Sequence, residues 1–221
     1  KMIVKVIFTE LKDLIKFKKQ ETHFSIEVED LNNDGLLDIS VLGRKLYVYF
    51  NTGNNTYHNF KEITNNGHPA IAGKIKPTDL NKDGNIDLLI YGANALGWYE
   101  NTGNAKFNSY EPLVKGFSYW YKAKFSDIDN DGDIDLLDKE KDINKIGWKK
   151  NDNGIFTQTF LSVDSTLEIT DFKVVEFNQD KLPDLVVIGK TSIRLYEGVG
   201  AGNFEYVSDL PTRISYSSMV M

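Results

Sequence analysis

Hydrophobic and polar residues alternate over short stretches of this chain. Period-two alternation marks Phe24-Ser-Ile-Glu-Val28 and Tyr121-Lys-Ala-Lys-Phe125, the pattern of strands with one face on a core. Short continuous apolar runs at 39–42, 88–91 and 185–188 predict strands covered on both faces. A third strand is predicted at 45–50 and 97–100, ending in Asn51-Thr-Gly53 or Asn101-Thr-Gly103, with Asn153-Gly154 at the matching place further on. Asn and Gly tolerate the positive φ that tight hairpin turns require. A fourth strand, at 57–63 or 106–110, closes the unit.

Between the first and second strands of each unit lies an acidic loop of constant form. The copies are Asp30-Leu-Asn-Asn-Asp-Gly-Leu-Leu-Asp38, Asp79-Leu-Asn-Lys-Asp-Gly-Asn-Ile-Asp87 and Asp127-Ile-Asp-Asn-Asp-Gly-Asp-Ile-Asp135, with a weaker fourth at Glu176-Phe-Asn-Gln-Asp-Lys-Leu-Pro-Asp184. Their first positions, 30, 79, 127 and 176, are 49, 48 and 49 residues apart. Four strands per repeat of that length describe a propeller blade. The expected fold is therefore all-β, a β-propeller of four-stranded antiparallel blades at about 23–63, 70–112, 118–161 and 168–210. Residues 1–22 contain two strand-like pieces, and 213–221 resemble a first strand. The chain is expected to be either a fragment of a larger propeller or about five blades with a composite closing blade.

Composition narrows the class. The chain has 221 residues, 41% hydrophobic and 26% charged, enough for a sizeable core. No run approaches the roughly 18 to 20 apolar residues of a membrane helix, so no membrane insertion is expected. The start, 1–8, reads as a strand rather than a signal peptide, because Lys5 interrupts it and no small-residue cleavage site follows. There is no cysteine, hence no disulfide framework. A formal charge of −6 disfavours nucleic acid, which demands clustered Lys and Arg. Three bound Ca²⁺ would bring that charge to about zero.

Ca²⁺ takes six to eight oxygens, and a short loop can supply them from alternating side chains and a carbonyl. The expected donors are Asp30, Asn32, Asp34 and Asp38 with the Leu36 carbonyl; Asp79, Asn81, Asp83 and Asp87 with the Asn85 carbonyl; and Asp127, Asp129, Asp131 and Asp135 with the Asp133 carbonyl. Gly35, Gly84 and Gly132 stand where the backbone turns sharply. The third loop has the most carboxylates and is expected to bind most tightly. An EF-hand shares the opening of this pattern but needs Glu at the twelfth position and flanking helices. Val41, Ile90 and Asp138 occupy that position here, between strands.

The loop and its spacing, across 23–210, resemble the FG-GAP/VCBS repeat family, which includes the propeller of integrin α-subunits. The resemblance implies that the metal is structural rather than catalytic, and sits in the hairpin opposite the face that carries most ligand-binding loops. The fourth copy, Glu176, Asn178, Asp180 and Asp184, departs from the family pattern. Lys181 replaces glycine and Pro183 stiffens the exit, so this loop is expected to be metal-free or weakly occupied.

Other residues suggest a binding surface. Lys74, Lys76, Lys122, Lys124 and Lys173 fall in two columns of first strands with Glu27, Ser25 and Asp171. They read either as a basic lining for an anionic ligand or as solvated or paired lysines, the second being favoured. Asp138 occupies a column otherwise held by Val41, Ile90 and Val187, and a hairpin symmetric about the loop would place it opposite Lys124 as a cross-strand pair. Trp98 and Trp148 share a column with Val48 and Leu195 and read as packing between blades. His68, Tyr119, Trp120 and Tyr121 lie near loops that join blades, where rings can stack on sugars or anchor a protein.

The expected function is a calcium-stabilised, extracellular or cell-surface module, secreted by a bacterium, that adheres to a glycan or protein through loops opposite the calcium face. Two alternatives are a propeller-type polysaccharide lyase or hydrolase, with His68 and Tyr119 or Tyr121 as acid and base, and a structural segment of a large surface or toxin-like protein packed against other domains. Catalysis has little support, since His23, His58 and His68 show no spacing to one another or to a nucleophile.

Overall fold

The computed structural model describes residues 25–54, 56–57, 59–63, 73–92, 95–113, 123–140, 143–164 and 166–210. These form four antiparallel four-stranded sheets, each with its strands in chain order, so the fold is all-β and built of propeller-type blades. The chain divides into two compact units, Lys1–Tyr121 and Lys122–Met221. The strand pieces expected at 1–22 and 213–221 lie outside the described residues.

In the first unit, β1 (Ser25–Glu29), β2 (Asp38–Leu42), β3 (Leu46–Phe50) and β4 (Asn59–Glu62) form one sheet. β5 (Gly73–Thr78), β6 (Asp87–Gly92), β7 (Ala95–Tyr99) and β8 (Glu111–Pro112) form the next. Leu42, Leu46 and Val48 from one sheet share a buried cluster with Ile75, Leu88, Ile90 and Tyr99 from the other. β2 is buried along its whole length, as its continuous apolar run requires. The fourth strand expected at 106–110 is displaced to β8, and Phe107 makes only an isolated bridge to Asn101. Tyr110 instead packs 5.4 Å from Tyr99, over Gly97, where an added Cβ would stand 2.4 Å from the Tyr110 ring.

The second unit holds β9 (Lys124–Ser126), β10 (Asp135–Lys139), β11 (Ile146–Asp152) and β12 (Ile155–Phe160), followed by β13 (Ile169–Val175), β14 (Asp184–Gly189), β15 (Ile193–Gly200) and β16 (Asn203–Leu210). Leu137, Ile146 and Trp148 pack with Phe172, Leu185, Val187, Tyr196 and Phe204. Trp148 is admitted by Gly202, where a Cβ would lie 2.3 Å from the indole ring. The expected tryptophan column holds, since Val48, Trp98, Trp148 and Leu195 face Ser40, Leu89, Leu137 and Val186 of the second strands.

The Asp138–Lys124 pair does not form. Lys124 faces Leu137, so Asp138 projects from the opposite side of the sheet, and Lys124 instead lies 3.8 Å from Asp171. The ninth aspartate of each loop already belongs to the second strand, as in the Glu29–Asp38 pairing, and this shifts the register by one from a hairpin centred on the fifth position. Acids also accompany the lysines in the first unit, where Lys76 and Lys74 lie in the field of Glu27.

Candidate metal centre

The three complete acidic hairpins share one set of hydrogen bonds. The first aspartate accepts the amides of the fifth and sixth residues: Asp30 those of Asp34 and Gly35 at 3.1 and 2.8 Å, Asp79 those of Asp83 and Gly84 at 3.1 and 2.9 Å, and Asp127 those of Asp131 and Gly132 at 3.1 and 2.8 Å. The fifth aspartate then accepts the amide of the seventh residue, 2.8 Å for Leu36, 2.8 Å for Asn85 and 2.9 Å for Asp133. The chain can turn this tightly because the sixth residue is left-handed, with φ of 82°, 86° and 90° at Gly35, Gly84 and Gly132.

The ninth aspartate closes each loop. Asp38, Asp87, Asp135 and Asp184 are fully buried. One oxygen of each accepts the amide of the second loop residue: Leu31 at 3.1 Å, Leu80 at 2.8 Å, Ile128 at 3.0 Å and Phe177 at 2.8 Å. The other oxygen accepts an amide from the end of the third strand, from Asn51, Asn101, Asn151 or Gly198, at 2.8 to 2.9 Å. Burial raises the pKa of Asp38, and raises Asp87 to about 7 and Asp135 to about 6, against the lowering effect of those two amides.

Asn51 and Asn101 do more than open the expected turns, and Asn151, two residues before the expected Asn153-Gly154 turn, acts as they do. Their side chains donate to the carbonyls of Leu37, Ile86 and Ile134 at the loop exits, at 3.3, 3.1 and 3.3 Å. Their Oδ1 atoms accept the turn amides of Gly53, Gly103 and Gly154 at 3.0, 3.1 and 2.8 Å. In the fourth blade a side chain has no room at this place, because a Cβ on Gly198 would stand 2.2 Å from the Pro183 carbonyl oxygen.

At the third hairpin, carboxylate oxygens of Asp127, Asp129 and Asp135 lie within 4.8 Å of one another, the one such acidic group among the described residues. The Asp129 side chain is 5% exposed, and its Oδ1 atom has no hydrogen-bond partner among the described residues. A buried oxygen of this kind, in an all-oxygen donor set, fits a hard cation such as Ca²⁺. In the first two hairpins Asn32 and Asn81 take the place of Asp129 and donate to Asp34 and Asp83 at 2.9 and 3.4 Å. The fourth loop keeps the closing bonds and the left-handed turn, but Lys181 adopts it at φ 71°, and Glu176 stands first.

The FG-GAP-like repeat family matches twice, at residues 30–90 and 79–137. The chain carries FG-GAP-like repeats. Both matches contain acidic hairpins, and the third hairpin closes the second match. No curated protein matches the chain. Among solved structures, an Agrocybe aegerita lectin, described for specific recognition of non-reducing terminal N-acetylglucosamine, has the same fold at a TM-score of 0.65 and 19% identity. The alignment covers 84% of this chain and 52% of the lectin, so the chain spans about half the lectin's length. A Photorhabdus luminescens Tc holotoxin pore aligns with a TM-score of 0.46 and 17% identity, over 90% of this chain and 10% of that one.

The ligand residues expected outside the FG-GAP-like hairpins, His68, Tyr119, Trp120 and Tyr121, lie outside the described residues, as do His23 and His58. Residues beside the second and third hairpins add contacts that the loop pattern does not predict. Glu100 Oε1 accepts a bond from Asn81 Nδ2 at 3.2 Å. The Lys150 ammonium bonds Asp129 Oδ2 and lies 3.3 Å from Asp131 Oδ2.

Proposed function

We propose that the chain is a calcium-stabilised binding module of an extracellular or cell-surface protein, with about three structural Ca²⁺ ions in its first three acidic hairpins. The observation that carries this reading is the third hairpin, where three carboxylates converge and Asp129 Oδ1 is buried without a hydrogen-bond partner among the described residues. Calcium, when bound, would cross-link the loop positions that the backbone amides already organise. The first aspartate shapes the turn, the third and fifth offer oxygens, and the ninth ties the loop to the end of the third strand.

The ligand surface is assigned to the opposite end of the blades, where second strands turn into third strands. There, in the second unit, Arg194 joins Asp164 and Asp209 at 2.5 and 3.0 Å, and Asn144 donates to the Leu167 carbonyl at 2.5 Å. These bonds tie the inter-blade connection to the strand ends and support a rigid platform for binding. Carbohydrate is favoured as the ligand class by the fold shared with the lectin. Metal-depleted protein should melt several degrees higher when Ca²⁺ is added and return with chelator; on a glycan array it should retain glycans with exposed terminal amino sugars. Melting that ignores calcium would remove the metal, and a blank array would remove the carbohydrate.

A further inference from the structure

In each blade one residue at or near the end of the third strand immediately precedes the residue whose amide clamps the ninth aspartate. In chain order it is Phe50, Glu100, Lys150 and Glu197. Glu100 and Glu197 accept bonds from the third-position amides of Asn81 and Asn178, at 3.2 and 2.7 Å. At the third hairpin the chemistry is exchanged. The third position is Asp129, and the neighbour is a cation that bonds Asp129 Oδ2 and reaches Asp131 Oδ2 at 3.3 Å. Glu stands with Asn, and Lys with Asp.

We propose that Lys150 is a tethered counter-cation that competes with calcium for the third hairpin and makes it the weakest of the three metal loops, despite its surplus of carboxylates. This rests on the calcium reading above. Two of the four side chains that would hold the ion, Asp129 and Asp131, already contact the ammonium. A divalent ion among the same oxygens would face a like charge a few ångströms away, next to a carboxylate that is 5% exposed and poorly screened by water. Lys150 therefore has to leave as calcium enters. Its side chain is 38% exposed, so the ammonium can swing into solvent.

At the second hairpin the residue beside the third position is an acid, and Glu100 adds a fourth carboxylate to Asp79, Asp83 and Asp87, with Lys82 the one cation within the loop sequence. Its affinity should be the highest of the three. The third hairpin has two of its carboxylates, Asp129 and Asp131, held by Lys150 when calcium is scarce, and takes the ion only at higher concentration.

The test is calorimetric titration of the full chain with calcium chloride after chelator treatment, for wild type, Lys150→Met, Lys150→Arg and Glu100→Gln. Lys150→Met should tighten the weakest transition by roughly tenfold or more, as expected for removing a like charge at short range. Lys150→Arg should leave that transition weak, and Glu100→Gln should weaken a different one. Melting in chelator checks folding, and should fall for Lys150→Met, where the aspartates lose their counter-ion. An unchanged isotherm for Lys150→Met, with calcium still taken up by wild type, overturns the proposal alone. No uptake by wild type overturns it together with the metal reading.

Discussion

Asn101 and Asp87 join the turn of the second blade to its acidic hairpin: the Asn101 amide donates to Asp87 Oδ1 at 2.8 Å, and its side chain reaches the Leu31 carbonyl of the preceding blade, also at 2.8 Å. The residue is fully buried, and its side chain additionally serves Ile86 and Gly103. Asn101→Ala leaves buried carbonyls unsatisfied and should cost about 2 to 3 kcal/mol. Asn51, whose side chain bonds the Leu37 carbonyl and the Tyr57 hydroxyl at 3.3 Å each, should cost about 1 kcal/mol when changed to alanine. Urea unfolding of the two variants measures the difference, and equal losses would deny Asn101 its role between blades.

The fourth loop tests the backbone separately from the metal. Lys181 holds φ 71° where the other loops place glycine, a conformation that costs a side chain roughly 1 kcal/mol. Lys181→Gly should stabilise the chelator-treated protein by about that amount. Gly84→Ala should do the reverse for conformational reasons alone, since nothing lies within 4 Å of the added Cβ. Both are read from denaturation midpoints.

Asp138 should make stability depend on pH. Burial, reinforced by Glu140, raises its pKa from 3.8 to about 6 against the charges of Lys149 and Lys124. Its ionised form is thus disfavoured in the fold relative to the unfolded chain. Its effect is absent below about pH 4 and grows as pH rises through about 6. With allowance for its partial exposure, Asp138→Asn should stabilise metal-free protein by about 1 kcal/mol at pH 7.5 and leave it unchanged at pH 3.5. A difference that does not vary with pH would contradict this assignment.

The blades were legible because their determinants are local. An aspartate or glycine at a fixed place in a nine-residue loop, and an apolar run after it, mark each repeat whatever the rest of the chain does. The roles of Asn51 and Asn101 were half visible, and that of Asn151, ahead of the expected Asn153-Gly154 turn, was not. Their turn chemistry is local, but their bonds to the loop exits depend on how the second and third strands register. Lys150 was not visible, since it follows Asp129 by 21 residues and meets it only once β10 and β11 pair. The misplacement of Asp138 has the same source: whether the ninth aspartate belongs to loop or strand shifts the register by one and sends the side chain to the other face.

The most direct test of the acidic hairpins as metal sites is a count of bound calcium by equilibrium dialysis at about 1 mM free ion, the range of extracellular modules. Wild type should hold about three ions per chain, Asp34→Ala and Asp83→Ala should each lose one, and Asp180→Ala should lose none. Retention of no calcium by wild type, or a count untouched by Asp83→Ala, would contradict the assignment of these loops.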